Sequence, residues 1–225
     1  MKLHRHRKRF PFAALLLALG ALSEPSQVGA AIEHSDVSVR GMIRPSACRM
    51  TLSENGQVDY GGISATVVMG NTAGYSPGQR EITLTVLCEF ETRVGVTVRD
   101  NRAGTPADIA GISVYGFGLG LVEERKVGAY TIVPAATAVS EKGDVALLTS
   151  EDGGNTWAKN SLRMVRNDGV TMLSWGEPGT TTPAARRQFQ VPLRVDAYLP
   201  KASALPKLDK AVELDGSATL SLVYL

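Results

Sequence analysis

The chain has 225 residues, of which 44% are apolar and 20% charged, with 24 basic and 22 acidic side chains. This length and composition suit a folded protein with a core and exclude a mainly charged chain. Residues 1–30 hold five of the basic residues and one acid, so the rest carries 19 basic and 21 acidic residues, a net charge of −2. That charge gives no attraction to a phosphate backbone, and a nucleic-acid partner is not expected.

Residues 1–30 are predicted to be a secretory signal peptide. Basic residues at positions 2–9 precede an apolar run at residues 12–22, and small residues follow at positions 28–31. This order is the three-part signal pattern, with cleavage after Ala30 or Ala31. The apolar run is shorter than the roughly 20 residues that cross a bilayer, so no membrane span is expected after cleavage. Residues 31–225 are then predicted to form one exported domain.

Two cysteines, Cys48 and Cys88, stand alone in the exported part of the chain. In an oxidising compartment an isolated pair favours a disulfide. Closing a loop of this length would stabilise the fold by about 4 kcal/mol in the loop-entropy model. His34 is the one histidine left after cleavage, so neither a metal site nor another cofactor is predicted.

Apolar and polar residues alternate along several segments, which is the period of a half-buried strand. Gly, Pro, Asn and Asp are concentrated between these segments, and helical spacing is almost absent. The pattern predicts an all-β fold, a sandwich of many short strands, whose first strand contains Cys48. The predicted inward-facing sets are Ile82, Leu84, Val86, Cys88 and Phe90; Val94, Val96 and Val98; Phe189, Val191, Leu193, Val195 and Ala197; and Ala218, Leu220, Leu222 and Tyr224.

One short motif has the pattern S-x-D-x-G-x-T-W, formed by Ser150, Asp152, Gly154, Thr156 and Trp157. It resembles the Asp-box of sialidases and related β-propellers. A propeller would repeat its blade several times, whereas the motif occurs once here, so a structural hairpin is predicted and a glycan-related role is the alternative. No nucleophile elbow or phosphate loop is found, so no catalytic residue is predicted and the protein is not expected to be an enzyme.

The two ends of the exported chain carry the most informative patterns. The first segment runs from Val37 through Gly41 and Ile43 to Cys48, and the last strand alternates up to Tyr224. These ends resemble those of chaperone–usher pilus subunits, whose first strand corresponds to the first segment. In that family the last strand borders a groove left by a missing strand. A periplasmic chaperone fills the groove first and the next subunit's N-terminal extension fills it later. The resemblance implies a strand-addition edge at Ala218, Leu220, Leu222 and Tyr224.

Further motifs are spread along the exported chain: Gly41-x-Ile43-x-Pro45-x-Ala47-Cys48, Asp59-Tyr60-Gly61, Asp100-Asn101-Arg102, Gly118-Leu119-Gly120, Val127-Gly128-x-Tyr130 and Leu214-Asp215-Gly216-Ser217-Ala218. Together they resemble a fimbrial-like periplasmic family of unknown function from Gram-negative bacteria. This resemblance implies export to the periplasm or the cell surface and a pilin-like, immunoglobulin-like sandwich with extra strands or insertions.

The sequence departs from a typical pilus subunit in two places. Residues 31–36 alone precede the predicted first strand, which is too short an arm to donate a strand, and Val212 stands where pilins usually have glycine. We therefore expect a non-enzymatic subunit or accessory protein that accepts a strand and donates poorly, with a chaperone, an usher and other pilus subunits as partners.

Two alternative functions remain open. The length of about 195 residues after cleavage is greater than that of a minimal pilin, which favours a self-complete periplasmic binding or structural protein. A carbohydrate-active protein is the weaker alternative, and it depends on the single Asp-box.

Overall fold

The computed structural model describes Glu33, residues 35–43 and residues 47–225. The predicted signal peptide lies outside the described residues. Residues up to Ile43 and residues from Arg44 onward are grouped as separate units, and the fold below concerns the second. Residues 35–43 carry no helix or strand, and the side chains of Val37, Val39 and Ile43 are exposed.

The second unit is built almost entirely from strands, which confirms the predicted all-β class. The described residues form thirteen strands, one five-residue helix, α1 (Ala65–Met69), and two 3₁₀ turns (Ser53–Gly56 and Ala202–Ala204). In chain order the strands are β1 Cys48–Leu52, β2 Gln79–Thr92, β3 Val94–Asp100, β4 Phe117–Gly118, β5 Leu121–Val122, β6 Arg125–Lys126, β7 Ala129–Pro134, β8 Thr137–Ser140, β9 Gly143–Ser150, β10 Ala158–Lys159, β11 Asp168–Gly176, β12 Arg186–Tyr198 and β13 Ala218–Tyr224.

The strands are joined in one antiparallel hydrogen-bonded sheet, apart from the small β5–β6 hairpin. The main path runs β1-β2-β12-β8-β9-β11-β3-β13, with β4, β7 and β10 attached to its sides. Arg93 alone separates β2 from β3, yet β2 pairs with β1 and β12 while β3 pairs with β11 and β13. The continuous segment of residues 79–100 therefore contributes one strand near each end of the path. β1 and β13 are the two outermost strands of the path.

The predicted apolar faces of β2, β3 and β12 form the core. Their inward residues are buried beside the large rings of Trp175, Phe117 and Phe189, and the ring centroids of Trp175 and Phe189 lie 5.4 Å apart. The predictions that Phe90 and Tyr224 face inward were wrong, because each side chain is 53% exposed. The β2–β12 register shifts between Arg186 and Gln188, and this bulge interrupts the period-two alternation of β2.

The predicted start of the first strand was also wrong. β1 begins at Cys48 instead of near Val37, so the chain ahead of it is longer than the six residues predicted. The resemblance to pilus subunits placed a strand at residues 37–43, but strand formation also needs a backbone partner. The predicted disulfide is confirmed, since Cys48 and Cys88 are direct partners across β1 and β2 and their sulfurs are bonded.

Candidate functional site

The outer edge of β1 is not paired with another strand among the described residues. The amide of Glu89 donates to the carbonyl of Ala47. In an antiparallel ladder successive residues point alternately toward and away from the partner strand. The backbone groups of Cys48, Met50 and Leu52 therefore point away from β2, and their half-buried side chains pack against the core.

β13 has an equivalent free edge. The carbonyl of Ser217 accepts from the amide of Asn101, and the amide of Leu225 donates to the carbonyl of Arg93. Odd-numbered residues therefore pair with β3, while the even-numbered residues direct their backbone groups outward. These are Ala218, Leu220, Leu222 and Tyr224, the four predicted for a strand-addition edge. Within the part of the chain that the structure describes, no strand pairs with the outer edge of β1 or of β13.

The two free edges face each other across a groove. A cavity of about 370 Å³ between them is lined by apolar residues of both walls, including Met50, Leu52 and Leu220. At one end the hydroxyl of Tyr224 accepts a hydrogen bond from the amide of Cys48, at 2.9 Å. Leu52 lies beside Ala218, so β1 and β13 run in opposite directions along the two walls.

Two further cavities continue the groove in the direction of Ala218. The second cavity, about 250 Å³, shares Leu52, Ala218 and Leu220 with the first. The third cavity, about 500 Å³, shares Val58, Tyr60 and Leu214 with the second. The three cavities therefore lie in a row with shared, mostly apolar walls, and we call this row the acceptor groove.

Tyr60 separates the second cavity from the third and is held in place. Its hydroxyl donates to the carbonyl of Val195 at 2.8 Å, and the guanidinium of Arg80 lies 5.0 Å from its ring centre. Burial, followed by the nearby charge of Asp196, raises the pKa of Tyr60 to about 12. Tyr60 is therefore a neutral, fixed wall of the groove at any physiological pH.

A cluster of polar side chains holds the segment that leads into β13. Asn101 donates from its side-chain amide to the hydroxyl of Ser217 at 2.9 Å, and Arg102 forms an ion pair with Asp215 at 2.6 Å. The buried carboxylate of Asp100 accepts from the amides of Arg102 and Gly118. These contacts give a structural role to two of the sequence motifs, Asp100-Asn101-Arg102 and residues 214–218.

Gly216 lies where no side chain would fit. A Cβ atom there would come within 2.9 Å of the ring carbon Cε1 of Tyr130 and 3.0 Å of Leu119 Cδ2. Contacts below 3.0 Å force neighbouring atoms to move. The glycine therefore lets the chain pass closely over the floor of the second cavity.

The Asp-box motif forms the loop between β9 and β10, away from the acceptor groove. Asp152 accepts from the hydroxyl of Ser150 at 2.7 Å and from both the amide and the hydroxyl of Thr156 at 2.9 and 2.6 Å. Gly154 donates its amide to Ser150 and accepts from the indole of Trp157. The contacts with Thr156, followed by that with Ser150, lower the pKa of Asp152 to about 2. Both carboxylate oxygens are thus engaged inside the loop.

Neither a metal centre nor a membrane helix is found in the described residues. No group of three or more His, Cys, Asp or Glu side chains among residues 33, 35–43 and 47–225 is placed to hold a metal ion. Over the same residues, no helix has the length and apolar character that crossing a membrane requires.

Comparison with known proteins shows that the chain is similar to a family of unknown function and to two proteins of Escherichia coli. Residues 37–115 match a family model described as "Protein of unknown function (DUF1120)". The chain is 29% identical over 226 residues to "Uncharacterized protein YhcF" of Escherichia coli strain K12, covering 87% of this chain and 92% of that protein. It is 24% identical over 255 residues to "Protein GltF" of the same strain, covering 97% and 99%. The expected similarity to a family of unknown function is thereby confirmed.

Proposed function

We propose that the protein is a non-enzymatic exported subunit or accessory protein of a fimbria-like chaperone–usher surface system. It acts by accepting a β-strand from a partner protein. One observation carries the proposal: the free edges of β1 and β13 face each other across an apolar groove. A strand laid between them would pair with both edges and cover the half-buried residues of both walls.

Strand binding would be favourable because an open groove leaves two strand edges unpaired and apolar surface in contact with water. Unpaired strand edges favour association with other strands. An inserted strand would satisfy the outward backbone groups of Met50 and Leu52 on one wall and Leu220 and Leu222 on the other. It would also remove apolar surface from water, worth about 25 cal/mol per Å² buried.

The direct test mixes the exported protein with a periplasmic chaperone from a chaperone–usher system of the same organism and measures complex formation by size-exclusion chromatography. Leu220→Glu places a charge on the groove side of β13, and Ser221→Glu places the same charge on the exposed side of the same strand. We expect Leu220→Glu to weaken the complex by tenfold or more and Ser221→Glu to leave it unchanged. Equal behaviour of the two variants, or no complex with the unaltered protein, would refute the proposal.

A second candidate is a self-complete periplasmic binding or structural protein. It is favoured by the hydrogen bond between Tyr224 and Cys48, which already joins the two edges at one end of the groove. Unfolding of the lone protein in urea separates the candidates. A cooperative, high-stability transition with no tendency to associate supports the second candidate, whereas concentration-dependent association supports strand acceptance.

A further inference from the structure

The outer face of β11, β3 and β13 carries a polar concavity, which is separate from the acceptor groove. The even-numbered side chains of β13 line the groove, whereas the odd-numbered Thr219 and Ser221 are exposed on the other side of the strand. The concavity has a volume of about 590 Å³, within the range of small-ligand sites. Among the described residues, its lining contains no large apolar side chain and includes Thr97, Arg99, Asn101, Gly169, Thr219 and Ser221.

A bulge in β11 forms one side of the concavity. The β11–β3 register shifts between Asp168 and Met172, and a bulge of this kind redirects the side chains beside it. Gly169 lies in the bulge with a φ of +73°. A Cβ atom there would come within 3.1 Å of Arg99 Cβ and 3.5 Å of Arg99 Cδ. The glycine therefore lets the aliphatic stem of Arg99 lie directly against the backbone of the bulge.

The guanidinium of Arg99 is free to bind a ligand. Within the described chain it makes neither an ion pair nor a hydrogen bond. Its cross-strand neighbour Asp168 is engaged inside the bulge, where its carboxylate accepts from the amides of Val170 and Thr171 and from the hydroxyl of Thr171. An arginine side chain presents a planar set of donors that matches both oxygens of a carboxylate. The concavity is therefore suited to one carboxylate group.

Hydroxyl groups surround this cation. Thr97 and Ser221 are direct partners across β3 and β13, and neither hydroxyl has a hydrogen-bond partner in the part of the chain that the structure describes. The hydroxyl of Thr219 donates to the side-chain oxygen of Asn101 at 3.1 Å, which leaves its own oxygen able to accept. Because a hydroxyl both donates and accepts, these groups are complementary to a ligand that carries hydroxyls of its own.

We propose that this concavity, the outer-face site, binds an acidic sugar. The carboxylate of the sugar pairs with Arg99, and its hydroxyls bond to Thr97, Ser221 and Thr219. A polyanion such as nucleic acid needs several cations, whereas Arg99 is the one basic residue that lines the site among the described residues. A protein partner would need apolar side chains at the centre of its interface. The Asp-box contributes no residue to the site, and the inference does not depend on strand acceptance.

Sugar titrations followed by two-dimensional amide NMR of the exported protein test the inference. D-glucuronate is the probe, and D-glucose is the neutral control with the same ring. We expect glucuronate to shift the amide signals of Thr97, Arg99 and Ser221 and to bind roughly tenfold more tightly than glucose, because it adds one charge-assisted contact. Methyl β-D-glucuronide separates two sources of the same chemistry. Equal binding of this glycoside identifies the end of a glycan chain, and binding of glucuronate alone identifies a free sugar acid.

Two pairs of variants locate the site. Arg99→Gln should remove the preference for glucuronate over glucose, and Arg49→Gln, at an exposed arginine on the outward side of β1, should keep it. Ser221→Glu places a carboxylate in the concavity and should abolish glucuronate binding, whereas Leu220→Glu, on the groove side of the same strand, should leave it unchanged. The chaperone test expects the opposite order for this second pair, so the two proposals can fail separately.

Three results would overturn the inference. The first is glucuronate binding no tighter than glucose binding, and the second is an Arg99→Gln variant that keeps the preference while its amide spectrum shows a folded protein. The third is competition by inorganic sulfate at the same concentration as glucuronate. Sulfate carries no sugar hydroxyls, so equal competition would show that the site holds an anion without recognising the sugar.

Discussion

At the scale of single residues, Asp152 shows how a motif can serve a loop rather than a substrate. Its carboxylate is held by the hydroxyl of Ser150 and by the amide and hydroxyl of Thr156. Because the folded-state pKa is lowered to about 2, the stabilising effect is complete above the unfolded value of about 3.9 and is lost as pH falls toward 2. We expect Asp152→Asn to lower the melting temperature at pH 7 and to remove this acid sensitivity. Asp108→Asn, at a fully exposed side chain, is the control, and an unchanged pH profile in Asp152→Asn would contradict the loop role.

Gly216 gives a second prediction at the same scale. Gly216→Ala would push a methyl group against Tyr130 and Leu119, and overpacking of this kind typically costs about 1–3 kcal/mol. Urea unfolding measures the loss. Gly62→Ala is the matched control, because a Cβ atom at Gly62 would meet no heavy atom within 4 Å. Equal stability of the two variants would show that the chain over Tyr130 can move aside.

At the scale of elements, β1 depends on the disulfide more than its neighbours do. It is a five-residue edge strand paired with β2 alone, and the bond to Cys88 closes its first residue pair. Replacing both cysteines with serine should lower the free energy of unfolding by about 2–5 kcal/mol. Because β1 forms one wall of the acceptor groove, we also expect partner binding to fall. Retained binding in the double variant would show that β1 stays in place through its ladder alone.

Alternation predicted β2, β3 and β12, and it also predicted β13, which pairs with β3 alone. The family resemblance placed the first strand near Val37, but β1 begins at Cys48, because strand formation also needs a backbone partner. The third cavity was not predicted from the sequence. Its walls include residues 201–217, which form no strand, so hydrophobic periodicity gives no information there. The use of Ala218, Leu220, Leu222 and Tyr224 as a strand-addition edge came from family resemblance and stays a prediction.

At the scale of the whole molecule, two open edges should control association. The free edges of β1 and β13 can pair with a second molecule at high concentration. Leu222→Lys puts a charge on the groove side of β13, and Ser221→Lys puts it on the exposed side. We expect sedimentation velocity to show concentration-dependent association that Leu222→Lys reduces and Ser221→Lys does not. Association unaffected by either change would place the contact elsewhere on the surface.

The continuity of β2 and β3 through Arg93 has a mechanical consequence. A pull on a strand held beside β13 would load the β13–β3 ladder along its axis, so its hydrogen bonds would share the force in shear. The force would reach the covalent chain near Val94, pass through Arg93 to Cys88, and cross the disulfide to Cys48. From there it would leave through the residues that precede β1. Tension would thus pass from β3 to β1 through Arg93 and the disulfide, a path of a few residues.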